Sequence, residues 1–420
     1  MPAFHIKGGS PLSGPWSVQG GKNAATPIVA ASLLTDEECV IRNVPRIADM
    51  HQMLSILEYL GSVIVWEDEH TLRIRTKEVS TKRLDYHLAK SMRSSVLLIG
   101  PLLGRLGMLE LPEPGGCSIG NRPLNAHFTV IEDLGGTVEK KDDGYYTISG
   151  GLFQGGVVRL IEKSVTATEN AMMAASRIPH ETVIENCATE PHIACLAGFL
   201  RSMGVTISGE GTRTITMTGS EKLDGCDYTI IPDQLEVGTI AVLAALTEGE
   251  IDIHPVVPKD MEAVERALRH AGVRMNIYQD RWIVQDSRDV LSGFDIAAAP
   301  HPAFPTDLQA PFGVLATQAN GLSTICDPMY ENRLGYLEPL VTMGALAEIH
   351  NEHVATITGP TPLSGSNLSS LDLRAGATLL IAALIAQGES VINAAEIIDR
   401  GYERIDERLR GLGADIQRVD

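Results

Sequence analysis

Basic residues are in short supply: 34 Lys and Arg stand against 53 Asp and Glu in 420 residues, a formal charge of -19. That balance argues against a protein built to hold nucleic acid or an anionic membrane, because phosphate surfaces are bound by net positive faces. Long apolar runs are absent too, and no stretch reaches the roughly 18 residues that a membrane-spanning helix requires. The opening MPAFHIKGGSPLSG has no basic region followed by an apolar run and a small-residue cleavage site. The expectation is therefore a soluble, cytoplasmic chain that is not exported. Cysteine is sparse and scattered, at 39, 117, 187, 195, 226 and 326, with no CxxC pair and no Cys/His cluster at metal-ligand spacing. This excludes a disulfide-stapled miniature domain, offers no metal site, and predicts reduced thiols.

What is present is a repeat. A helix-ending phrase followed by a strand-turn-strand pattern recurs as LEYLGSVIVW, IEDLGGTVEK, LRSMGVTISG, LRHAGVRMNI, LVTMGALAEI and LRGLGADIQR. Its glycine falls at Gly61, Gly135, Gly204, Gly272, Gly344 and Gly413, each 68 to 74 residues after the last. Glycine at that point is the expected C-terminal helix cap, and the alternation after it reads as half-buried strand. Upstream of each glycine lies an amphipathic helix such as MEAVERALRHAG, and upstream of that a nearly all-apolar, small-residue segment such as GTIAVLAALTEG. A helix that is apolar all round has to be enclosed by others.

The predicted unit is buried helix, strand, amphipathic helix, cap, strand, strand. A chain of this length is too long for one core. Six units divide as three per domain, giving an α/β protein of two similar domains with a boundary near residues 228 to 233. One domain is expected over 22–230 and the other over 1–21 with 231–420, with a cleft between them.

Unusual polar residues collect just before the predicted helix starts. Lys22 and Asn23, Arg93, Asp233 and Glu236, Asp307, and Asp372 with Arg374 precede or open buried helices. Arg122, Arg333 and Arg400 precede amphipathic ones. Helix N-termini carry free N–H groups and partial positive charge, so several converging with these cations would make an anion site for phosphate or carboxylate. Taken one at a time, each Asp, Asn or Ser could equally be a helix cap and each Arg a surface residue. The loop PEPGGCSIGNRP over 112–123 adds a thiol, Cys117, among glycines and prolines that give it no apolar face to bury against. Arg122 supplies charge that favours a thiolate there.

These motifs resemble one family over essentially the whole chain, the enolpyruvyl transferases. They are GGKNAATPIVAA around Lys22, KSMRSS around Arg93, PGGCSIGNRP around Cys117 and SVTATENAMMAA after Lys163. PHPAFPTDLQA around Asp307, ENR at Arg333, DLRAGA at Arg374 and IDRGYERI at Arg400 complete the set. The resemblance implies an inside-out α/β barrel in two domains of three repeats each. It implies transfer of enolpyruvate from phosphoenolpyruvate to the 3-hydroxyl of UDP-N-acetylglucosamine with release of phosphate, in peptidoglycan precursor synthesis, with no metal or organic cofactor.

In that reading Asp307 is the candidate base and Asp372 a possible second proton acceptor. Cys117 is the candidate acid and the residue that fosfomycin would alkylate. Lys22, Arg122 and Arg400 would hold phosphate, with Arg333 and Arg374 near the carboxylate. Asn23 and Asp307 would reach the sugar, while Arg93, Arg122, Pro123, Leu124, Asn125, Lys163, Ser164 and Val165 would serve the acceptor substrate. Four positions depart from the family pattern: Asn125 for aspartate, Thr166 for glycine, Gln234 for arginine and His192 for an acid. They leave open a paralogue using another nucleotide or sugar hydroxyl. A non-catalytic relative is harder to reconcile with an intact Cys117, Asp307, Lys22 and Arg400.

Overall fold

A computed structural model describes residues 2–115, 120, 122–150 and 154–419. Cys117 lies outside the described residues. The chain separates into two compact units, one within Gly20–Ile231 and the other formed by the first 19 residues with Pro232 onward.

In the first unit, three segments poor in charge form the centre: Lys22–Ala31, Ile99–Leu106 and Val165–Ala175. Residues Ala24 through Ala31 are all buried, and so are Ala167 through Ala175. Gly100 makes the closest approach possible, since a Cβ there would stand 2.6 Å from the carbonyl oxygen of Asn170. Such contacts explain the small-residue bias better than helix propensity does. Outside them lie the amphipathic helices Ala48–Tyr59, Asn125–Asp133 and Pro191–Ser202. Each is followed by a glycine at positive φ: Gly61 at 99°, Gly135 at 86° and Gly204 at 100°. That conformation ends a helix and is strained for any residue carrying a Cβ.

The second unit is built alike. Its enclosed helices are Gln234–Leu246, Gln309–Gln318 and Leu373–Ile385. Its outer helices Glu262–His270, Leu337–Thr342 and Ile405–Leu412 precede Gly272, Gly344 and Gly413, again at positive φ. The first strand, Ala3–Lys7, pairs antiparallel with both Glu389–Asn393 and Asp415–Val419, so the chain's start is sewn into its last sheet.

Among the described residues, six mixed or antiparallel sheets cover these helices. In the sheet around Glu181–Glu185, that strand runs antiparallel to Thr214–Thr218 and parallel to Gly156–Arg159. Four other sheets have the same parallel edge, and the three-stranded one has a parallel bridge from Arg83 to Glu110 in its place. Each unit has its own continuous apolar core. Trimming a core side chain such as Ile28 or Leu379 to alanine is expected to cost about 2–5 kcal/mol. Among the described residues, no helix is long and apolar enough to cross a membrane.

Candidate active site

The predicted site residues fall into two groups, one in each unit. In the first, Lys22 is the opening residue of its helix, with Gly21 ahead of it held by an N–H bond to the Ile231 carbonyl at 2.9 Å. Its Nζ meets Asp49 Oδ2 at 2.6 Å, and Asp49 is nearly closed to solvent in the first turn of Ala48–Tyr59. Asn23 is half-buried beside it. Arg93 opens the 3-10 turn Arg93–Leu98 and donates through a guanidinium nitrogen to the Arg122 carbonyl, joining two of the predicted cationic positions.

Beyond Arg122 the chain passes through exposed Pro123 and buried Leu124 into the helix Asn125–Asp133, where Asn125 is exposed. Lys163 is exposed, and Ser164 caps the helix Val165–Ala175 by accepting the Ala167 N–H at 3.3 Å. Val165 is half-buried at that helix's start.

Between the last two helices sits a polar cluster that joins Thr166 to two residues the sequence did not mark, His127 and Asn170. His127 Nδ1 lies 2.9 Å from Asn170 Nδ2, and its Nε2 lies 3.1 Å from Thr166 Oγ1. Burial pushes its pKa down to about 3, with the nearby Arg93 charge adding to the effect. The ring is therefore neutral at physiological pH. Glu169, on the same helix as Asn170, is buried, and desolvation together with Glu190 raises its pKa well above the usual carboxylate range. Two polar residues in succession inside an otherwise apolar segment were the available signal.

In the second unit Asp307 lies in the short turn Thr306–Leu308. One carboxylate oxygen accepts from Arg333, and the other stands 3.3 Å from Arg374 Nε. Both arginine side chains are almost closed to solvent, at 7% exposure each. Arg333 is further fixed by the Gln309 side chain on its carbonyl at 3.0 Å and by the Tyr330 ring, 5.3 Å from its guanidinium carbon. Arg374 also donates to the Tyr402 hydroxyl at 3.4 Å, which in turn meets Thr239 Oγ1 at 3.0 Å. Burial alone would lower the Arg374 pKa, but Asp307, Tyr402 and Asp233 outweigh it and raise it.

Asp372 caps Leu373–Ile385, its Oδ1 accepting from the N–H groups of Arg374 at 2.7 Å and Ala375 at 3.1 Å. Asp233 likewise caps its helix through the Leu235 N–H at 2.8 Å. Glu236 is committed to Trp16 Nε1 at 2.6 Å and to Arg408. Arg400 ends the turn Ala395–Arg400 half-buried, while its neighbour Asp399 is held by Arg418. Two cations and a carboxylate packed this way can orient an anion and a hydroxyl, and they supply fixed positive charge where negative charge accumulates.

The family model for EPSP synthase (3-phosphoshikimate 1-carboxyvinyltransferase) matches residues 6–409. The chain belongs to that family. A UDP-N-acetylglucosamine 1-carboxyvinyltransferase from Methylacidiphilum infernorum is 41% identical, over 100% of this chain and 99% of its own. One of the same description from Magnetococcus marinus is 40% identical over the full length of both. Among solved structures, the enolpyruvyl transferase NikO from Streptomyces tendae superposes with a TM-score of 0.88 at 24% identity, covering 100% of this chain and 99% of that one. EPSP synthase from Acinetobacter baumannii gives 0.77 at 19%, covering both chains in full. These two establish the fold alone, an α/β enolpyruvyl transferase fold.

Proposed function

We propose that the protein transfers enolpyruvate from phosphoenolpyruvate to the 3-hydroxyl of UDP-N-acetylglucosamine, releasing phosphate, as a first step of peptidoglycan precursor synthesis in the cytoplasm. Full-length identity of about 40% to relatives described as performing that reaction carries the reading. The packing of Asp307 against Arg333 and Arg374 supports it.

The reaction needs a group to take the hydroxyl proton as its oxygen adds to the enol carbon, and an acid to deliver a proton to the methylene carbon. Loss of phosphate and of a proton from the new methyl group then leaves the enol ether. Asp307 would take the hydroxyl proton, with Asp372 as a further acceptor, and Cys117 would protonate the methylene carbon. Lys22, Arg122 and Arg400 would hold phosphate, and Arg333 and Arg374 would lie near the carboxylate. Asn23, Arg93 and residues 122–125 and 163–165 would serve the sugar nucleotide. No step calls for a metal or organic cofactor.

The fold fits the same reading. The recurring sheet plan and the six glycine caps support six copies of one unit. Three copies per domain, over 22–230 and over 1–21 with 231–420, would form the inside-out barrel of the family. The decisive assay is phosphate release from phosphoenolpyruvate with UDP-N-acetylglucosamine and with a panel of other nucleotide and sugar acceptors. Release with UDP-N-acetylglucosamine is expected. Turnover with another acceptor and none with this one would replace it by the paralogue suggested by Asn125, Thr166 and Gln234.

A further inference from the structure

We propose that the Thr166 hydroxyl is a dedicated hydrogen-bond donor to the acceptor substrate, and that His127 sets it in that role through its Nε2 proton. Protons can be counted through the cluster. Asn170 is 2% exposed, and its Oδ1 accepts the backbone N–H of Gly100 at 2.7 Å. Its Nδ2 gives one hydrogen to the Val96 carbonyl at 3.0 Å and faces His127 Nδ1 at 2.9 Å. A backbone N–H only donates and a carbonyl only accepts, so the amide is oriented from both ends and His127 Nδ1 has to accept.

The ring is 3% exposed and neutral, so its single proton sits on Nε2. That proton goes to Thr166 Oγ1, 3.1 Å away. With an acceptor lone pair of the Thr166 oxygen thus occupied, the hydroxyl's own hydrogen is left to donate. Among the described residues, the ring is the hydroxyl's sole hydrogen-bond partner.

Thr166 is half-buried in the first turn of Val165–Ala175, directly after Lys163, Ser164 and Val165. The inference rests on the reading above, in which those three residues line the nucleotide pocket. The substrate class that such a donor suits is a nucleoside diphosphate, whose phosphate oxygens accept hydrogen bonds and carry charge. A glycine at this position would have no side-chain donor to offer, so the threonine gives this chain a contact of its own.

The test combines steady-state kinetics with nitrogen spectroscopy of the ring. Thr166→Val keeps the shape and removes the donor. It is expected to raise KM for UDP-N-acetylglucosamine about tenfold while kcat and KM for phosphoenolpyruvate stay within about twofold, the loss of one hydrogen bond to a charged group. Thr166→Ser restores the hydroxyl and is expected to restore KM to within about threefold. Long-range proton–nitrogen spectra of 15N-histidine protein at pH 7 are expected to show the Nε2–H tautomer for His127.

A Thr166→Val enzyme with unchanged KM on a parent that does turn over overturns this inference alone. Loss of kcat in Thr166→Val that serine does not rescue points to a structural role and overturns it too, as does an Nδ1–H ring. A parent protein inactive with UDP-N-acetylglucosamine overturns the functional reading, and this inference with it.

Discussion

Arg374 Nε stands 3.3 Å from Asp307 Oδ2 while the arginine side chain is 7% exposed, so a buried cation depends on one carboxylate for much of its compensation. Arg333 holds the other oxygen of the same carboxylate. Breaking a buried pair by removing one partner leaves charge uncompensated, which is costlier than the pair's net worth.

Asp307→Ala is therefore expected to lose about 3 kcal/mol of stability. Asp307→Asn, which keeps the shape and one acceptor oxygen, is expected to lose less than half of that. Both should lose turnover by at least about 100-fold, because asparagine cannot take the hydroxyl proton. Denaturant melts and phosphate-release rates measured together separate the two effects. An Asp307→Asn enzyme retaining a tenth or more of wild-type turnover would remove Asp307 from the role of base.

Lys22 and Asp49 form the corresponding pair in the other unit, 2.6 Å apart with side chains 16% and 7% exposed. Asp49→Asn is expected to release the ammonium from its fixed position and raise KM for phosphoenolpyruvate several-fold with a smaller effect on kcat. Lys22→Arg keeps the charge but replaces a compact ammonium by a planar fork, and is expected to lose more turnover than Asp49→Asn. Equal activity of wild type and Asp49→Asn would show that the pair serves packing alone.

The positions of Lys22, Arg93 and Arg374 beside helix starts were legible because a charged residue at the edge of an apolar run is a local pattern. The six glycines were legible for the same reason, since a helix stop is written within a few residues. The partners were not. Asp49 reads as an ordinary acid in a helix's first turn, and nothing in its neighbourhood points to Lys22. His127 and Asn170 are 43 residues apart on two different helices, and only tertiary packing brings them together. Asp372 reads as an acid poised for chemistry, and the structure shows its Oδ1 capping a helix. Local pattern marks where polar residues lie; tertiary packing decides which of them meet.

Thiol reactivity should separate the described cysteines. The Cys226 thiol, half-buried, accepts from Cys39 and Ser202 and is shifted below its ordinary value. The same contact, with burial, pushes Cys39 up, and burial pushes Cys187 up to about 11. Because the thiolate is the reactive form, maleimide at pH 7.5 is expected to label Cys226 well before Cys39 or Cys187. Cys117 is expected from its glycine loop to precede all of them, and fosfomycin should modify it alone. Peptide mapping after graded labelling reads the order, and Cys39 or Cys187 labelled ahead of Cys226 would contradict the assignment of the pair.

Two buried groups should tilt the stability profile in opposite directions. His127 has a folded-state pKa of about 3, below the unfolded value near 6.5, so between those limits the unfolded chain binds a proton that the folded chain does not. Stability then falls as pH drops through that window, by about 3 kcal/mol between pH 7 and pH 4 from this residue alone. Glu169 is shifted the other way, so the folded chain keeps a proton that the unfolded chain releases, and stability falls as pH rises above about 4.5. His127→Gln should flatten the acid limb relative to wild type, and Glu169→Gln should flatten the decline toward neutral and alkaline pH. Urea melts of the three proteins from pH 4 to pH 9 read both differences. A His127→Gln curve parallel to wild type below pH 6 would mean that the ring is protonated in the folded protein, which would also put a second proton on the nitrogen that faces Asn170.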